Sequence, residues 1–371
     1  MKLIISNICV IMLVIGLAIL CASCLNTDPA SSDFVYKIND DKQTCTIIGL
    51  NDSTKNHIVV PSKIGKYTVN KIANRAFKGA EIKQVDLPDT IIEIGDEAFS
   101  QCYYLVNINL PSNLQKVGQG AFSYCSSLKS IEIPTFVTIL PKKVFYECSA
   151  LESVSLNGRI YRIEEDAFYL CSSLKQVNFP STLIYIGDRA FMACYSLTKI
   201  ALPKGLIDMG YNTFSLCTNL TEISLSSTIS VLSIPFTMEC PKLTSFAVDD
   251  ANCTFRSNNG VLYNKSMSIL AAYPSGKRDV EFDVPNTVNQ IFNSAFVCNK
   301  YIQTINISQS VKSIGSAVFA LCDNLNRINY NGTVEMWNSI EKHSGWDIDS
   351  PDYTIYCTDG TIAKDGTVTY K

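Results

Sequence analysis

The chain carries a repeat with a constant spacing of 23 residues. Phenylalanines recur at intervals of 22 or 23 from Phe77 to Phe214, and leucines keep the 23-residue interval from Leu105 to Leu243. A period of this length is typical of solenoids, in which one repeat cannot bury its own apolar face. The sequence therefore predicts stacked coils around a linear core, all within one repetitive domain. Seven cysteines mark the register, at positions 102, 125, 148, 171, 194, 217 and 240.

Each repeat follows the pattern IGxxAFxxCxxLxxIxLP, as in residues 94–111. The Leu-x-x-Ile-x-Leu and Ile-x-x-Ile-Gly segments are short, alternating and closed by proline or glycine, which predicts two half-buried strands per coil. The AFxxCxxL segment has apolar residues three apart, which indicates a single helical or 3₁₀ turn. The predicted fold is a β-rich solenoid, and about ten coils at a strand spacing of about 4.8 Å would make a rod about 50 Å long.

This pattern resembles the BspA-like, or treponemal-type, leucine-rich repeat family over roughly residues 34–371. Segments 34–75, 258–277 and 328–362 are similar to the family's opening hairpin, internal insert and terminal segment. The resemblance implies a leucine-rich-repeat array with an N-terminal β-hairpin cap and a C-terminal cap segment. It also implies a non-catalytic bacterial surface protein that mediates adhesion, by binding host matrix or plasma proteins or other cells.

The repeat register divides the chain into segments. It breaks after residue 248 and resumes with Phe296, Cys298, Phe319 and Cys322. A solenoid requires capping units at its ends, and the flanking segments are predicted to supply them. The predicted segments are a lipoprotein-type signal peptide (1–23), a short tether (24–33), an N-terminal capping hairpin region (34–75), 23-residue repeats (76–248), an inter-repeat insert (249–285), further repeats (286–330) and a C-terminal cap segment (331–371).

The N-terminus has the layout of an export signal. Lys2 is followed by a largely apolar stretch from Leu3 to Leu20 and by small residues before Cys24. This end resembles a bacterial lipoprotein signal, which makes Cys24 the predicted lipidation site. Ordinary secretion and a retained membrane anchor are the alternatives, since about 18 apolar residues could span a bilayer. The predicted location is the bacterial cell envelope, with the chain lipid-anchored at the cell surface.

Composition argues against several function classes. Lysine and arginine number 31 against 34 acidic residues, so the net charge of −3 gives no footprint for nucleic acid or for an anionic membrane. Two histidines, His57 and His343, leave little room for imidazole chemistry. The common nucleotide-binding, zinc-protease and serine-hydrolase motifs are missing from the sequence. We predict no enzymatic activity, no cofactor and no metal; a calcium site at Asp249, Asp250 and Asn252 is a minor alternative.

The cysteines of the repeats number nine when Cys298 and Cys322 are included. A spacing of 23 fits no compact metal-ligand pattern, and the repeats contain no companion histidines. We predict that these cysteines are unpaired and fill a small apolar site in each coil. Disulfides between adjacent coils are the main alternative, because exported proteins meet oxidising conditions.

Polar residues alternate with the apolar ones of the Leu-x-x-Ile-x-Leu strands and are predicted to point outward as a flat hydrogen-bonding face for a protein partner. The set is weakly charged and contains no aromatic residue, which disfavours a sugar-stacking platform. A soluble sheet surface without a ligand is the simpler interpretation. The candidate binding residues are Asn107, Asn109, Ser130, Glu132, Ser153, Ser155, Gln176, Asn178, Lys199, Glu222 and Ser224.

A second candidate patch consists of tyrosines on the other strand and the turns. The predicted partners are host extracellular matrix or plasma proteins, or other bacterial surface proteins; the membrane is reached through the lipid only, and nucleic acid is not a partner. The alternative function is a periplasmic structural or scaffolding lipoprotein that binds another envelope component. The tyrosines are Tyr103, Tyr104, Tyr124, Tyr146, Tyr161, Tyr169, Tyr185 and Tyr195.

Overall fold

The computed structural model describes residues 32–52, 54–156 and 159–371. The predicted signal peptide and Cys24 lie outside the described residues. The described chain winds into a β-solenoid of about 13 turns with almost no helix, which confirms the predicted fold class. There are more coils than the ten or so predicted, because the opening segment, the insert and the terminal segment each add a strand to the same stack.

Most strands are two to four residues long, as a motif closed by proline or glycine requires. The helix, α1, covers Val334–Asn338 and is the only helix in the described part of the chain. In chain order the strands are β1 (Phe34–Ile38), β2 (Thr44–Leu50), β3 (His57–Val59), β4 (Lys63–Ile64), β5 (Tyr67–Ile72), β6 (Gln84–Asp86), β7 (Glu93–Ile94), β8 (Asn107–Asn109), β9 (Lys116–Val117), β10 (Ser130–Ile133), β11 (Ile139–Leu140), β12 (Ser153–Leu156), β13 (Arg162–Ile163), β14 (Gln176–Val177), β15 (Tyr185–Ile186), β16 (Lys199–Ala201), β17 (Asp208–Met209), β18 (Glu222–Leu225), β19 (Val231–Leu232), β20 (Ser245–Val248), β21 (Phe255–Asn258), β22 (Val261–Asn264), β23 (Ile269–Ala272), β24 (Glu281–Asp283), β25 (Gln290–Ile291), β26 (Thr304–Ile307), β27 (Ser313–Ile314), β28 (Arg327–Tyr330), β29 (Glu341–Lys342), β30 (Thr354–Tyr356), β31 (Gly360–Ala363) and β32 (Val368–Tyr370).

The strands form two parallel rows, one on each side of the core. The front row contains the Leu-x-x-Ile-x-Leu strands β3, β6, β8, β10, β12, β14, β16, β18, β20, β24, β26, β28 and β30. The back row contains the shorter Ile-x-x-Ile-Gly strands, including β5, β7, β9, β11, β13, β15, β17 and β19. Pairing shifts by one repeat per coil, so that Ser130 pairs with Ser153 in front and Arg162 with Tyr185 behind. Equivalent side chains therefore lie above one another.

Antiparallel pairs occur where the repeat is modified. Strands β1 and β2 form the opening hairpin, and β2 then pairs in parallel with β5. In the insert, β21, β22 and β23 form an antiparallel meander, and β23 rejoins the back row beside β25. At the other end β30, β31 and β32 are antiparallel, and the Thr333 side chain caps α1. No helix of the described chain is long and apolar enough to cross a bilayer.

The core is a set of ladders along the solenoid axis. Phenylalanine rings stack from coil to coil, with centroids 5.0–5.7 Å apart between Phe99 and Phe214. Each of these rings is fully buried. The apolar interior divides into two large clusters, one from Phe34 to Ala272 and one from Val261 to Ile362, which meet at the insert. Packing is thus continuous within each cluster, and the insert contributes to both.

The AFxxC segments form successive single turns. Backbone N–H groups bond three residues back, as from Ser100 to the Glu97 carbonyl at 3.0 Å and from Cys102 to the Phe99 carbonyl at 3.2 Å. A helix cannot extend here because Glu97 and Gln101 have positive φ of 53° and 63°. Residues with such φ recur at both positions in successive coils. The predicted short turns are confirmed, and the left-handed residues explain why they stay short.

Candidate binding face on the front row

The front row presents polar side chains by simple alternation. On β8, Asn107 and Asn109 are exposed on either side of buried Ile108, and β10 follows the same rule. All eleven predicted binding residues lie on front-row strands or, for Asn178, directly after one. None of the eleven is buried. The alternation therefore places them on one face, while their role in binding stays a prediction.

A groove of about 880 Å³ crosses β8, β10, β12 and β14; we call it the front groove. The structure brings eight of the predicted residues together in it and leaves Lys199, Glu222 and Ser224 outside, on β16 and β18. Turn residues Pro134 and Thr135 also line the groove. Neither is among the predicted binding residues, although the proline that closes the strand marks in the sequence where the turn begins. The eight residues are Asn107, Asn109, Ser130, Glu132, Ser153, Ser155, Gln176 and Asn178.

The front groove is a hydrogen-bonding surface with a single charged side chain. Side-chain amides and hydroxyls supply both donors and acceptors, and Glu132 is the only ionisable residue among the described lining residues. Within the described part of the chain, the amides of Asn107, Asn109 and Gln176 have no hydrogen-bond partner. These groups are exposed to water and can exchange it for a ligand.

A smaller groove, of about 420 Å³, lies on the second half of the front row, and its central amides already have hydrogen-bond partners. The amide of Asn306 donates to Glu281 at 2.7 Å and to Asp283 at 2.5 Å, and its oxygen accepts from Asn329 at 2.7 Å. The Arg327 guanidinium lies 3.8 Å from the centroid of the Tyr356 ring. The amides of Asn306 and Asn329 are thus engaged by neighbouring side chains, whereas the amides of Asn107, Asn109 and Gln176 in the front groove are not.

The other candidate chemical groups are scattered. His57 Nε2 lies 2.7 Å from Asp86 Oδ2 at the start of the front row, and this hydrogen bond lowers the pKa of Asp86. His343 is in the terminal segment. No group of three or more histidine, cysteine or acidic side chains in the described ranges could hold a metal ion. In the calcium alternative, Asn252 is wrong as a ligand, because it is buried and its side-chain oxygen accepts the N–H groups of Thr254 and Phe255.

Eight of the nine repeat cysteines form a ladder beside the phenylalanines. Each thiol donates to the carbonyl oxygen of the phenylalanine one coil earlier, with Sγ···O distances of 3.0–3.3 Å. All the described cysteines are unpaired, which confirms the free-thiol prediction against the disulfide alternative. The thiol is therefore more than a small apolar filler, because it satisfies a buried backbone acceptor.

The assignment of Cys298 to this ladder is wrong. Cys298 has φ of 62° and occupies the left-handed turn position that Leu321 holds one coil later. The ladder position, three residues after Phe296, belongs to Asn299. Its amide donates to the carbonyls of Pro274 and Lys277, and its oxygen accepts from the backbone N–H groups of Tyr301 and Ile302. An asparagine can make four bonds where a thiol makes one, which suits the coil that follows the insert.

Burial controls the reactivity of these thiols. It raises the pKa of Cys148 to about 12, so almost no reactive thiolate forms at neutral pH. Of the twelve described cysteines, only Cys253 is exposed. We expect a chain beginning at residue 25 to show one rapidly labelled thiol with a soluble disulfide reagent at pH 8, and the rest only after unfolding. Cys253→Ser should remove the fast phase; several fast thiols in the folded protein would contradict the ladder.

The tyrosines of the second predicted patch divide between two places. Tyr124, Tyr146 and Tyr169 pack along the turns: the first two rings meet edge to face with centroids 5.4 Å apart, and the last two stack with centroids 4.9 Å apart. Tyr161 and Tyr185 instead lie on the back row, where the Arg162 guanidinium is 4.1 Å from the centroid of the Tyr185 ring. They do not form one patch with the turn tyrosines.

A parallel solenoid with 23-residue coils and strands rich in leucine and isoleucine defines a leucine-rich-repeat protein. The BspA-type leucine-rich repeat region matches in six copies over residues 70–169, 138–266 and 277–343, and the chain belongs to this family. No curated protein matches the chain.

Two solved structures share the fold. A leucine-rich cell surface protein from Faecalibacterium prausnitzii A2-165 is 23% identical, with a TM-score of 0.52, covering 86% of this chain and 98% of that one. A leucine-rich repeat protein from Bacteroides ovatus ATCC 8483 is 21% identical, with a TM-score of 0.51, covering 87% and 98%. At this identity the similarity concerns the fold alone.

Proposed function

We propose that this protein is a non-catalytic adhesion protein of the bacterial cell surface that binds a protein partner through its front groove. The observation that carries the proposal is the set of unengaged side-chain amides at the front groove, those of Asn107, Asn109 and Gln176, on strands that pair in parallel register. Repeat solenoids use such extended faces for binding. Membership of the BspA-type family, and the name of the cell surface protein with the same fold, favour display outside the cell.

The chemistry of the front groove limits the partner. With Glu132 as its one ionisable residue, the groove offers little electrostatic steering, so recognition depends on hydrogen bonds and shape. Host matrix proteins, plasma proteins and surface proteins of other bacteria present backbone and side-chain amides that match it. Lipidation at Cys24 would tether the solenoid without a membrane-spanning segment.

Binding should depend on three strands of the front groove. The triple variant Asn109→Ala, Ser153→Ala, Gln176→Ala removes up to three hydrogen bonds, each worth about 1 kcal/mol, so we expect Kd to rise by about 100-fold. A partner is first captured from matrix and serum proteins with residues 25–371 as bait, and surface plasmon resonance then measures Kd.

A matched control comes from the back row. The double variant Gln115→Ala, Asn289→Ala removes two exposed amides on the opposite face and should bind like the wild type. Equal affinity of the front-row variant and the wild type would refute the front groove as the binding site.

The alternative is a periplasmic scaffold that binds another envelope component. Protease treatment of intact cells separates the two locations. Degradation of the repeats on intact cells supports surface display, whereas protection until the outer envelope is broken supports the scaffold.

A further inference from the structure

The back row exposes a stripe of apolar side chains in successive coils. Tyr161, Ile184 and Ile207 directly precede β13, β15 and β17, and Val231 begins β19; their exposed fractions are 37–49%. The N–H of Ile184 bonds to the Tyr161 carbonyl, and that of Ile207 to the Ile184 carbonyl, each at 3.0 Å. The stripe is therefore contiguous. Single exposed apolar residues are ordinary, but a contiguous row marks an interaction surface.

Two residues of opposite charge, Arg162 and Asp208, lie beside the stripe, one strand to either side of β15. Arg162 on β13 pairs in register with Tyr185 on β15, and Tyr185 pairs with Asp208 on β17. The basic and the acidic residue thus lie one strand to either side of Tyr185. The Arg162 guanidinium stacks on the Tyr185 ring at 4.1 Å, and its Nε donates to Glu164 at 2.7 Å. These contacts hold the basic group over the back row.

This arrangement is self-complementary about a two-fold axis parallel to β15. Such an axis, placed over Tyr185, brings the back rows of two copies face to face. Each coil before β15 in one copy then lies opposite the coil that is equally far after β15 in the other copy. Arg162 and Asp208 then meet each other, and the apolar side chains of the stripe meet apolar ones, as a closed two-fold interface requires. The facing pairs are Arg162 with Asp208, Tyr161 with Ile207, Ile139 with Val231, and Ile184 and Tyr185 each with its own copy.

Neighbouring positions of the axis are unfavourable. An axis over β13 would set Arg162 against its own copy, and an axis over β17 would do the same to Asp208, so like charges would meet. With the axis over β15, Asp188 faces its own copy in the adjoining turn, but its carboxylate accepts the N–H of Tyr211 at 2.8 Å. Of these three positions, the axis over β15 is the one that sets Arg162 opposite Asp208.

We propose that two copies of this chain associate back to back through the stripe around Ile184, with Arg162 of each copy opposite Asp208 of the other. The contact from β11 to β19 is only about 19 Å long. A contact of this length belongs with weak interfaces, which bury less than about 1,200 Å² in total. The dimer leaves both front rows exposed on opposite sides, so the proposal is independent of what they bind.

Sedimentation velocity tests the dimer. We expect the sedimentation coefficient of the wild-type chain from residue 25 to rise to a dimer value between about 10 µM and about 1 mM, the range of weak complexes. Ile184→Lys should stay monomeric over this range. Ile92→Lys is the matched control, because Ile92 is 39% exposed against 41% for Ile184 and precedes back-row strand β7 outside the contact. It should dimerise like the wild type.

Charge reversal tests the register. Arg162→Asp and Asp208→Arg each create two like-charge contacts in a homodimer, so each variant alone should dimerise at least about tenfold more weakly. An equimolar mixture of the two variants restores both opposite-charge contacts and should form a heterodimer. Circular dichroism checks that every variant is folded. A wild type that stays monomeric, a lysine at position 92 that disrupts as strongly as one at 184, or a mixture that stays monomeric would each overturn the proposal.

Discussion

Replacing Phe168 with alanine is expected to lower the free energy of unfolding by about 4 kcal/mol. The ring is fully buried between those of Phe145 and Phe191, with centroids 5.3 and 5.0 Å away. Removing it leaves a cavity whose neighbours are fixed by their own coils and cannot collapse into it, which places the cost in the range of about 3–5 kcal/mol for a buried Phe→Ala change. Urea unfolding followed by far-UV circular dichroism measures this loss.

Tyr169 provides the matched control, because it is the next residue and also belongs to a ring stack. Its ring lies 4.9 Å from that of Tyr146, but it is only half-buried. Tyr169→Ala should therefore cost only about 1 kcal/mol, the value of an aromatic pair with modest burial. Equal losses for the two variants would show that the internal ladder contributes no more than the surface stack.

Replacing Asn299 with alanine is expected to be comparably severe, at about 4 kcal/mol. The Asn299 side chain is fully buried and joins four backbone groups: two carbonyls at the end of the insert and two N–H groups of its own turn. Alanine removes all four bonds: the Lys277 carbonyl and the two N–H groups lose their side-chain partner, whereas the Pro274 carbonyl keeps the N–H of Lys277 at 3.1 Å. Each such loss costs about 1 kcal/mol or more. The same urea titration measures the effect.

Two further variants isolate the cause. Asn299→Cys introduces the residue that the ladder uses elsewhere, yet we expect it to be nearly as destabilised as alanine, because one thiol cannot replace four bonds. Asn324→Ala removes an exposed amide that makes a single bond to the Lys300 carbonyl and should cost less than about 1 kcal/mol. Wild-type stability of Asn299→Cys would show that the ladder position is interchangeable.

The period alone could predict the solenoid, the two strand rows and the outward face, because each follows from alternation within one coil. The number of coils was underestimated because the strands at His57, Glu281 and Thr354 occur in segments without the repeat signature. The error at Cys298 has a different cause, because this cysteine lies two residues after Phe296 and not three. The ladder position three residues after Phe296 is held by Asn299, which the cysteine pattern alone does not indicate.

The front groove could not be predicted, because it depends on how coils face one another. Asn109 and Asn306 occupy equivalent strand positions, yet only Asn306 is engaged, by acidic residues one coil earlier. Local alternation does not distinguish an available amide from a satisfied one. The Asn299 network was hidden for a similar reason, since its partners at Pro274 and Lys277 lie in the insert, 25 and 22 residues earlier.

The residue-for-residue pairing of the front row fixes the interval at which this surface can be contacted. Equivalent groups on successive coils are one strand spacing apart, about 4.8 Å, whereas an extended peptide presents equivalent side chains every two residues, about 6.8 Å apart. The side chains of a peptide strand lying along the solenoid axis would therefore be out of register with the coils after one or two contacts. The front groove is thus better matched to a folded partner, or to a segment that crosses the coils, than to a long linear peptide aligned with them.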